Sequence, residues 1–324
     1  MNNKIQNDFL LNAKIFKDLE KIIQKKNISN AYIFYGPDGI GKKETALKFI
    51  TKLLDNDNND LKIEQKIKQN NHPDYFFIEP TYLIKGASIN QSELNIDEKK
   101  HNLPLIRIDQ IRNIRDFISK KSIQSEKKII LIDDAHHLNE ASSNCLLKTL
   151  EEPTNGLFIL LTSKINLLLD TILSRCQKIK FPKLTQNQLR LFLKRKLTEE
   201  EYKKISNIKE LIYLSNGSPS NLFQRHKAWN EIPALIKENI NYPIKDLSEI
   251  LILSKAICEE LNYEQQEYLI DYIQLIWWKK IGSKRIIEIL EDLKSNLKRN
   301  IQPRLSWEIN LIKISMSIYP ELIH

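Results

Sequence analysis

The sequence has few cysteines, and their scarcity excludes several classes of protein. Only Cys145, Cys176 and Cys258 occur in 324 residues, an odd number at wide spacing. Small folds held together by disulfides are therefore excluded, and we expect the reducing cytoplasm as the compartment. There is also no Cys-x-x-Cys pair and no Cys/His cluster. We expect no metal site built from protein ligands, and zinc in particular has no ligands to bind.

Long apolar runs are missing as well. The longest ones, such as residues 129–132 and 157–161, are far too short to cross a bilayer, which excludes a membrane-spanning protein. Residues 1–17 contain no apolar segment of the kind found in a secretory signal. We find no internal repeat. A chain of 324 residues is longer than one compact core usually organises, so we expect two or three domains.

The charge is moderately one-sided. Fifty Lys and Arg residues against 41 Asp and Glu residues give a formal net charge of +9 and a sequence pI near 9.1. This balance favours polyanionic partners such as nucleic acid, but only weakly, because the basic residues are spread along the chain. A genome biased toward Lys, Ile and Asn codons explains the charge equally well, and both interpretations stay open here.

Composition divides the chain into three regions. Residues 1–182 alternate short apolar runs with amphipathic stretches, which predicts an α/β domain with a mainly parallel sheet. Residues 183–228 predict a small helical domain, in which Thr185 caps one helix and the turn at 216–219 begins the next. Residues 229–324 have apolar side chains at three- and four-residue spacing, typical of an all-α domain. The strands expected in the first region are residues 32–35, 75–78, 129–132 and 157–161. Its two polar stretches are expected at the surface, 55–71 as a helix end and a mobile loop and 85–102 as a polar insert.

A glycine-rich loop follows the first strand and precedes a helical stretch, which is the context of a P-loop. Gly36, Gly39 and Gly41 allow backbone N–H groups to turn toward phosphate oxygens, and the helix adds its positive dipole end. Lys42 would reach the β- and γ-phosphates of ATP as a point charge. Lys43 stands where an efficient ATPase has a Ser or Thr that ligates Mg²⁺. The alternative is a glycine-rich turn of another α/β protein.

A pair of carboxylates completes the predicted nucleotide site. The apolar run 129–132 leads into Asp133 and Asp134, at the strand end where α/β proteins bind ligands. Asp133 would hold the Mg²⁺ shell through water. Asp134 stands where a Glu usually polarises the attacking water, and its side chain is one methylene shorter. The alternative is a solvated acidic turn. His136 and His137 are expected in the following loop or helix start and not in a metal site.

Three further segments resemble one family, the AAA+ clamp loaders. Residues 139–153 (NEASSNCLLKTLEEP) resemble the helix after the Walker B strand of those proteins, and the strand ending at Thr162 is similar to their sensor 1 strand. Ser174, Arg175 and Cys176 resemble their Ser-Arg-Cys motif. The order and spacing of these segments after the P-loop identify the chain as a member of this family. It includes the bacterial DNA polymerase III loader subunits and the replication factor C subunits.

Two segments resemble the delta-prime branch of the family and not the gamma/tau branch. They are residues 71–74 (NHPD) and 106–112 (IRIDQIR), and residues 300–308 resemble the start of a collar helix. Two features depart from the family pattern. Members of both branches commonly carry a four-cysteine zinc module, and the corresponding residues 55–71 contain no cysteine. Asn221 stands where active members have the sensor 2 arginine.

The resemblance implies a clamp-loader subunit of the DNA polymerase III holoenzyme, with an AAA+ P-loop domain, a helical lid domain and a helical collar domain. It would assemble with gamma/tau and delta subunits to load a sliding clamp onto primed DNA. Arg175 would act as an arginine finger on ATP bound by the adjoining gamma/tau subunit. Lys43 and Asn221 imply that the chain itself binds ATP and Mg²⁺ weakly or not at all and hydrolyses ATP poorly.

Other interpretations remain open from the sequence alone. The chain could be an ATP-hydrolysing loader subunit of the gamma/tau or replication factor C small-subunit type. It could also be a non-replicative AAA+ scaffold. For Arg175, the alternative role is a structural ion pair on a helix.

Overall fold

The computed structural model describes residues 12–55, 60–84, 86–94, 103–152, 156–299 and 301–319. The chain divides into two compact units, Met1–Gln188 and Leu189–His324. The predicted division into three domains, with a further boundary between residues 228 and 229, is finer than this and stays a prediction. That boundary falls inside a helix that continues to Glu231.

The first unit is an α/β fold with a parallel sheet, which confirms the predicted fold class. Its strands are β1 (Ala31–Tyr35), β2 (Tyr75–Ile78), β3 (Thr81–Ile84), β4 (Ala87–Asn90), β5 (Lys128–Ile132), β6 (Gly156–Thr162) and β7 (Gln177–Lys180). Five of them form one sheet in the order β2-β5-β6-β1-β7, and all four neighbouring pairs are parallel. Strands β5 and β6 are buried along their whole length, as apolar runs inside a parallel sheet should be.

Helices cover the sheet of the first unit. They are α1 (Ala13–Gln24), α2 (Lys42–Leu54), α3 (Asp60–Lys68), α4 (Ile108–Ser119), α5 (Glu140–Glu151) and α6 (Asp170–Arg175). One side of the core joins apolar residues of α4, α5 and α6 to those of the strands, with Ile114, Leu146 and Ile172 fully buried. This packing holds α4, α5 and α6 against one face of the sheet.

The parallel register brings the ends of three strands to one edge of the sheet. Tyr35, the last residue of β1, pairs with Thr162, the last residue of β6, and Ile132 at the end of β5 pairs with Leu160. We call this the carboxyl edge, and the residues that follow β1 and β5 emerge there beside each other. Strand β7 begins beside the start of β1, so the segment that leads into β7 lies at the opposite, amino edge.

Three elements of the first unit were not predicted. Part of the polar stretch 55–71, expected as a helix end and a loop, is a separate helix, α3. Part of the stretch 85–102 belongs to an antiparallel hairpin of β3 and β4, in which Gly86 has a φ of +84° that favours glycine. Strand β7, which was not predicted from the sequence, is the outermost strand beside β1. Residues 56–59, 85 and 95–102 of these stretches lie outside the described part of the chain.

The second unit is built from helices. They are α7 (Gln186–Lys196), which begins just before it, α8 (Glu199–Lys203), α9 (Ile208–Leu214), α10 (Pro219–Glu231), α11 (Ala234–Asn239), α12 (Leu247–Glu260), α13 (Tyr263–Ile281), α14 (Lys284–Lys298) and α15 (Pro303–Ile318). The two predicted helix starts are confirmed, because Thr185 and Ser218 accept backbone N–H groups of the first turns of α7 and α10. Trp307 is fully buried in its core. No helix among the described residues is long and apolar enough to span a membrane.

Candidate nucleotide site and exposed arginine

The P-loop leaves β1 at the carboxyl edge and is held in shape by its glycines. Gly39 and Gly41 have φ values of 65° and 91°, in the left-handed region where a side chain is strained. The N–H of Gly36 donates to the carbonyl of Thr162 at 3.2 Å. A Cβ at Gly36 would lie 2.2 Å from the carbonyl oxygen of Phe181. The loop therefore keeps the tight backbone path from which N–H groups can face a phosphate.

Lys42 begins α2 and turns its ammonium back into the loop. Its Nζ donates to the carbonyls of Gly36 and Pro37, both at 2.7 Å, and lies 3.7 Å from Asp38 Oδ1. Burial lowers the pKa of Lys42, and the nearby carboxylates of Asp38 and Asp134 oppose that shift. An ammonium has three N–H donors, so the two carbonyls leave one donor that a phosphate oxygen could accept in place of Asp38.

Lys43, which stands where an active P-loop has a Mg²⁺-ligating Ser or Thr, forms an ion pair with Asp133. Its Nζ lies 3.0 Å from Asp133 Oδ2 and 4.4 Å from the ring centroid of Phe77. The Lys43 side chain is 42% exposed and that of Asp133 is 21% exposed, so solvent screens the pair in part. Two residues that the sequence assigned to the nucleotide site are thus in direct contact.

Asp134, the second carboxylate of the pair, is partly buried among other charged groups of the protein. Its φ of 45° is left-handed, a conformation that aspartate tolerates better than most residues. Burial raises the pKa of Asp134 to about 6, and the carboxylates of Asp133 and Asp38 add to the shift. The side chain of Gln91, which follows the β3–β4 hairpin, and the ammonium of Lys42 oppose this rise in the pKa of Asp134. The proximity of Gln91 to Asp134 could not be predicted from the sequence, because the hairpin itself was not predicted.

Thr162 ends β6 with its hydroxyl already bonded. The Thr162 Oγ1 lies 3.3 Å from His136 Nδ1 and accepts the backbone N–H of Lys164 at 3.1 Å. Burial lowers the pKa of His136 to about 4, with His137 and Lys164 contributing, so the ring is neutral at pH 7. Both histidines lie in a short 3₁₀ turn, Ala135–His137, after β5.

The side chains at this edge do not fit Mg²⁺. Magnesium in a P-loop is held by a hydroxyl, by carboxylate-bound water and by phosphate oxygens. Here position 43 carries an ammonium, and that ammonium occupies the carboxylate of Asp133. The next hydroxyl along α2, that of Thr45, donates to the carbonyl of Gly41 at 2.7 Å. Within the described ranges, no group of three or more His, Cys, Asp or Glu side chains could hold a metal ion.

Arg175 lies at the amino edge, away from its own P-loop. It ends α6, two residues before β7 begins beside the start of β1. Its Nη1 donates to the carbonyl of Thr171 at 3.0 Å, and its Nη2 lies 2.5 Å from Glu151 Oε1 at the end of α5. The side chain is 38% exposed. At roughly 3.3 Å per residue, the length of β1 separates this edge from the P-loop by roughly 13 Å.

The two residues beside Arg175 lie in different environments. Ser174 is exposed, and its hydroxyl donates to the carbonyl of Thr171 at 3.0 Å. Cys176 is buried in the core between α6 and the sheet, and burial raises the pKa of its thiol to about 12. A thiol with so high a pKa is not a nucleophile at neutral pH. Cys176 therefore packs in the core, whereas Ser174 and Arg175 face solvent, and Arg175 is the charged member of the motif.

The His-Pro-Asp segment has a structural role that its sequence did not reveal. Asp74 is fully buried, and its carboxylate accepts the backbone N–H groups of Ile123, Gln124 and Ser125 at 2.7–2.9 Å and the Ser125 hydroxyl at 3.0 Å. The Nδ1 atom of His72 accepts the N–H of Asp74 at 3.1 Å. Asp74 therefore anchors the loop that leads into β5, the strand that carries the carboxylate pair.

The predicted site residues thus form two groups. The P-loop glycines, both lysines, both aspartates and Thr162 meet at the carboxyl edge, whereas the Ser-Arg-Cys motif lies at the amino edge. Asn221 is on α10 in the second unit, where its backbone N–H donates to Ser218 Oγ at 3.2 Å. Sequence reasoning missed Phe77 and Glu151, because each becomes relevant only through a partner distant in the chain.

Two family models match most of the chain. The model described as "DNA polymerase III, delta subunit" matches residues 11–185, which is more than half of the chain. The model described as "Cyanobacterial DNA polymerase III delta prime, C-terminal domain" matches residues 192–314. The two matches follow each other with little gap.

Curated relatives carry related names. DNA polymerase III subunit delta' of Pseudomonas aeruginosa is 29% identical over 252 residues, covering 75% of this chain and 69% of that protein. The Bacillus subtilis subunit delta' is 30% identical over 189 residues, covering 55% of this chain and 51% of that protein. The Bacillus subtilis subunit tau is 31% identical over 176 residues, covering 54% of this chain and 28% of that protein. The match thus spans about half the length of the Bacillus delta' protein.

Proposed function

The chain belongs to the DNA polymerase III delta-subunit family, as a clamp-loader subunit of the delta-prime type with an AAA+ fold, and on this premise we propose its role in the loader. It is the stator, a rigid subunit that donates an arginine finger and hydrolyses ATP poorly itself. In this role it assembles with gamma/tau and delta subunits in the cytoplasm. It donates Arg175 as an arginine finger to ATP bound by the adjoining gamma/tau subunit. The assembly opens the sliding clamp and places it on primed DNA.

The position of Arg175 is the observation that carries this proposal. At the amino edge it cannot touch a nucleotide in its own P-loop, which lies at the carboxyl edge, but an adjoining chain can approach it. An exposed ion pair such as that with Glu151 contributes about 0–1 kcal/mol. The guanidinium can therefore exchange Glu151 for phosphate oxygens, which it binds at two points. The structural ion pair and the finger are thus two states of one side chain.

The chain's own P-loop supports the role of a stator. Lys43 replaces the Mg²⁺-ligating hydroxyl and pairs with Asp133, and Asp134 is shorter than the usual Glu. Asn221 replaces the sensor 2 arginine. We propose that this loop binds ATP weakly or not at all and that it turns ATP over poorly.

The isolated chain is therefore expected to hydrolyse ATP at least about a hundredfold more slowly than an active gamma/tau subunit, because groups that stabilise the transition state are replaced. The measurement is steady-state phosphate release by the purified chain with Mg²⁺, with and without primed DNA. The gamma/tau subunit assayed in parallel is the control. Equal turnover by the two proteins would favour the alternative, an ATP-hydrolysing subunit of the gamma/tau type.

Exposed apolar side chains in the second unit support assembly with other subunits. Leu305, Ile309 and Met316 follow one face of α15 and are 37–46% exposed. Leu251 and Ile252 on α12 are 43% and 62% exposed. Patches of apolar side chains that are exposed to solvent are typical of protein–protein interfaces. We propose that residues 229–324 form the collar domain that holds the loader together and that residues 183–228 form the lid domain.

A further inference from the structure

The contact between Lys43 and Asp133 joins two positions that share one Mg²⁺ ion in an active P-loop site. One is the second residue of α2, and the other is the first residue after β5. They are brought together because β1 and β5 end at the same edge of the sheet, with β6 between them. In this chain nothing separates the two side chains, since Nζ and Oδ2 are 3.0 Å apart.

The ammonium of Lys43 has a second contact that a metal ion could not use. It lies 4.4 Å from the ring centroid of Phe77 on β2, within the range of a cation–π interaction. Magnesium requires six oxygen ligands in a near-octahedral arrangement. The ring supplies no oxygen, and the ammonium would repel a divalent cation at this distance. Charge and ligand chemistry at this position therefore both favour Lys43 over Mg²⁺.

We propose that the Lys43 ammonium is the resident cation of this P-loop and takes the place of Mg²⁺ beside Asp133. The inference rests on the proposed function, since it explains why the loop of a stator is inactive. The proposal has a specific consequence for nucleotide binding. The affinity of the chain for ATP should not increase when Mg²⁺ is present. A single residue then keeps the metal out.

The rest of the phosphate cradle is intact, so the exclusion should be reversible. Gly39 and Gly41 keep their left-handed conformations, and Lys42 retains a donor for phosphate. Replacing Lys43 with Thr removes the ammonium, frees the carboxylate of Asp133 and supplies the missing hydroxyl. Because the Lys43 side chain is 42% exposed, this replacement leaves no cavity in the core.

The experiment is a calorimetric titration of the purified full-length chain with ATP, once in excess Mg²⁺ and once in EDTA. For the wild type, we expect either no binding in both buffers or affinities that agree within about twofold. For Lys43→Thr, we expect ATP to bind at least about fivefold more tightly in Mg²⁺ than in EDTA, the lower end of typical coupling between two ligands. Lys43→Ser is the second variant, and thermal unfolding verifies that both fold.

Two control variants make the result specific. Lys52→Thr changes another exposed lysine of α2, which pairs with Glu20 at 3.4 Å, and it should behave like the wild type. Adding Asp133→Asn to Lys43→Thr should abolish the gain from Mg²⁺. A wild-type chain that binds ATP fivefold more tightly in Mg²⁺ overturns the proposal, and so does a Lys43→Thr chain with no gain. Neither outcome affects the proposed role of Arg175, which is tested separately by the ATPase of the assembled loader.

Discussion

Replacing Arg175 with alanine is expected to lower the ATPase of the assembled loader while the chain still folds and assembles. The side chain is exposed, and its ion pair with Glu151 lies at the surface, so its loss costs at most about 1 kcal/mol of folding stability. At the boundary that it serves, an arginine finger contributes roughly a thousandfold or more to turnover. The total loss should be partial, because other subunits donate arginines to their own boundaries.

The measurement is the DNA- and clamp-stimulated ATPase of the loader reconstituted with wild-type or variant chain. Arg175→Lys should restore little activity, because an ammonium cannot grip phosphate oxygens at two points as a guanidinium does. Arg115→Ala is the matched control. Arg115 forms a similar exposed pair with the next acidic residue, Glu152, at 2.9 Å, and its loss should leave the rate unchanged.

Two results would contradict the assignment of Arg175 as an arginine finger. A loader with Arg175→Ala that hydrolyses ATP and loads clamps at the wild-type rate shows that this residue does not act in catalysis. A variant that folds but no longer joins the complex shows that Arg175 is chiefly an interface residue. Size-exclusion chromatography of each reconstituted mixture distinguishes the second result from a loss of catalysis.

Replacing Asp74 with asparagine is expected to destabilise the chain by about 3 kcal/mol, since hydrogen bonds to a buried charged group contribute about 1.5–3 kcal/mol each and some survive the change. The carboxylate accepts four hydrogen bonds from three consecutive residues. An asparagine offers one oxygen, and its NH₂ group faces N–H donors. The measurement is urea unfolding at pH 7. Asp116→Asn, on the exposed face of α4, is the control and should have little effect.

The effect of Asp74→Asn should depend on pH. Burial alone would raise the pKa of Asp74, but its hydrogen bonds outweigh burial and the pKa lies below the ordinary value. The stabilisation is therefore fully present above the ordinary aspartate pKa of about 4 and is lost as the pH falls through the lowered native pKa. The difference between wild type and variant should narrow below about pH 4. A difference that stays constant or grows in acid would contradict this role of the carboxylate.

The fold could be predicted where burial produces continuous apolar runs. Residues 129–132 and 157–161 each lie inside an observed strand, because both faces of a central parallel strand are covered. Strand β7 (QKIK) was missed because it lies at the sheet edge and three of its four side chains are exposed. Helix α3 was not predicted as a separate helix because its sequence is largely polar, although residues 63 and 67 have helical spacing.

The candidate site could be predicted by position but not by contact. Motif spacing located the P-loop, the carboxylate pair and Arg175, since each lies within a short segment. The contacts that define their chemistry join distant segments, such as Lys43 with Asp133 and Arg175 with Glu151. Those pairs follow from the order of strands in the sheet, which a single sequence does not state. The sequence therefore located the candidate residues, and the fold supplied their partners.

Co-elution with gamma/tau and delta subunits tests the central claim most directly. The purified chain is mixed with these two subunits, and the mixture is passed through size-exclusion chromatography with light scattering. We predict one complex that contains all three proteins, with a mass equal to the sum of its subunits. Elution of this chain as a separate peak, while gamma/tau and delta run elsewhere, would contradict its assignment as a clamp-loader subunit.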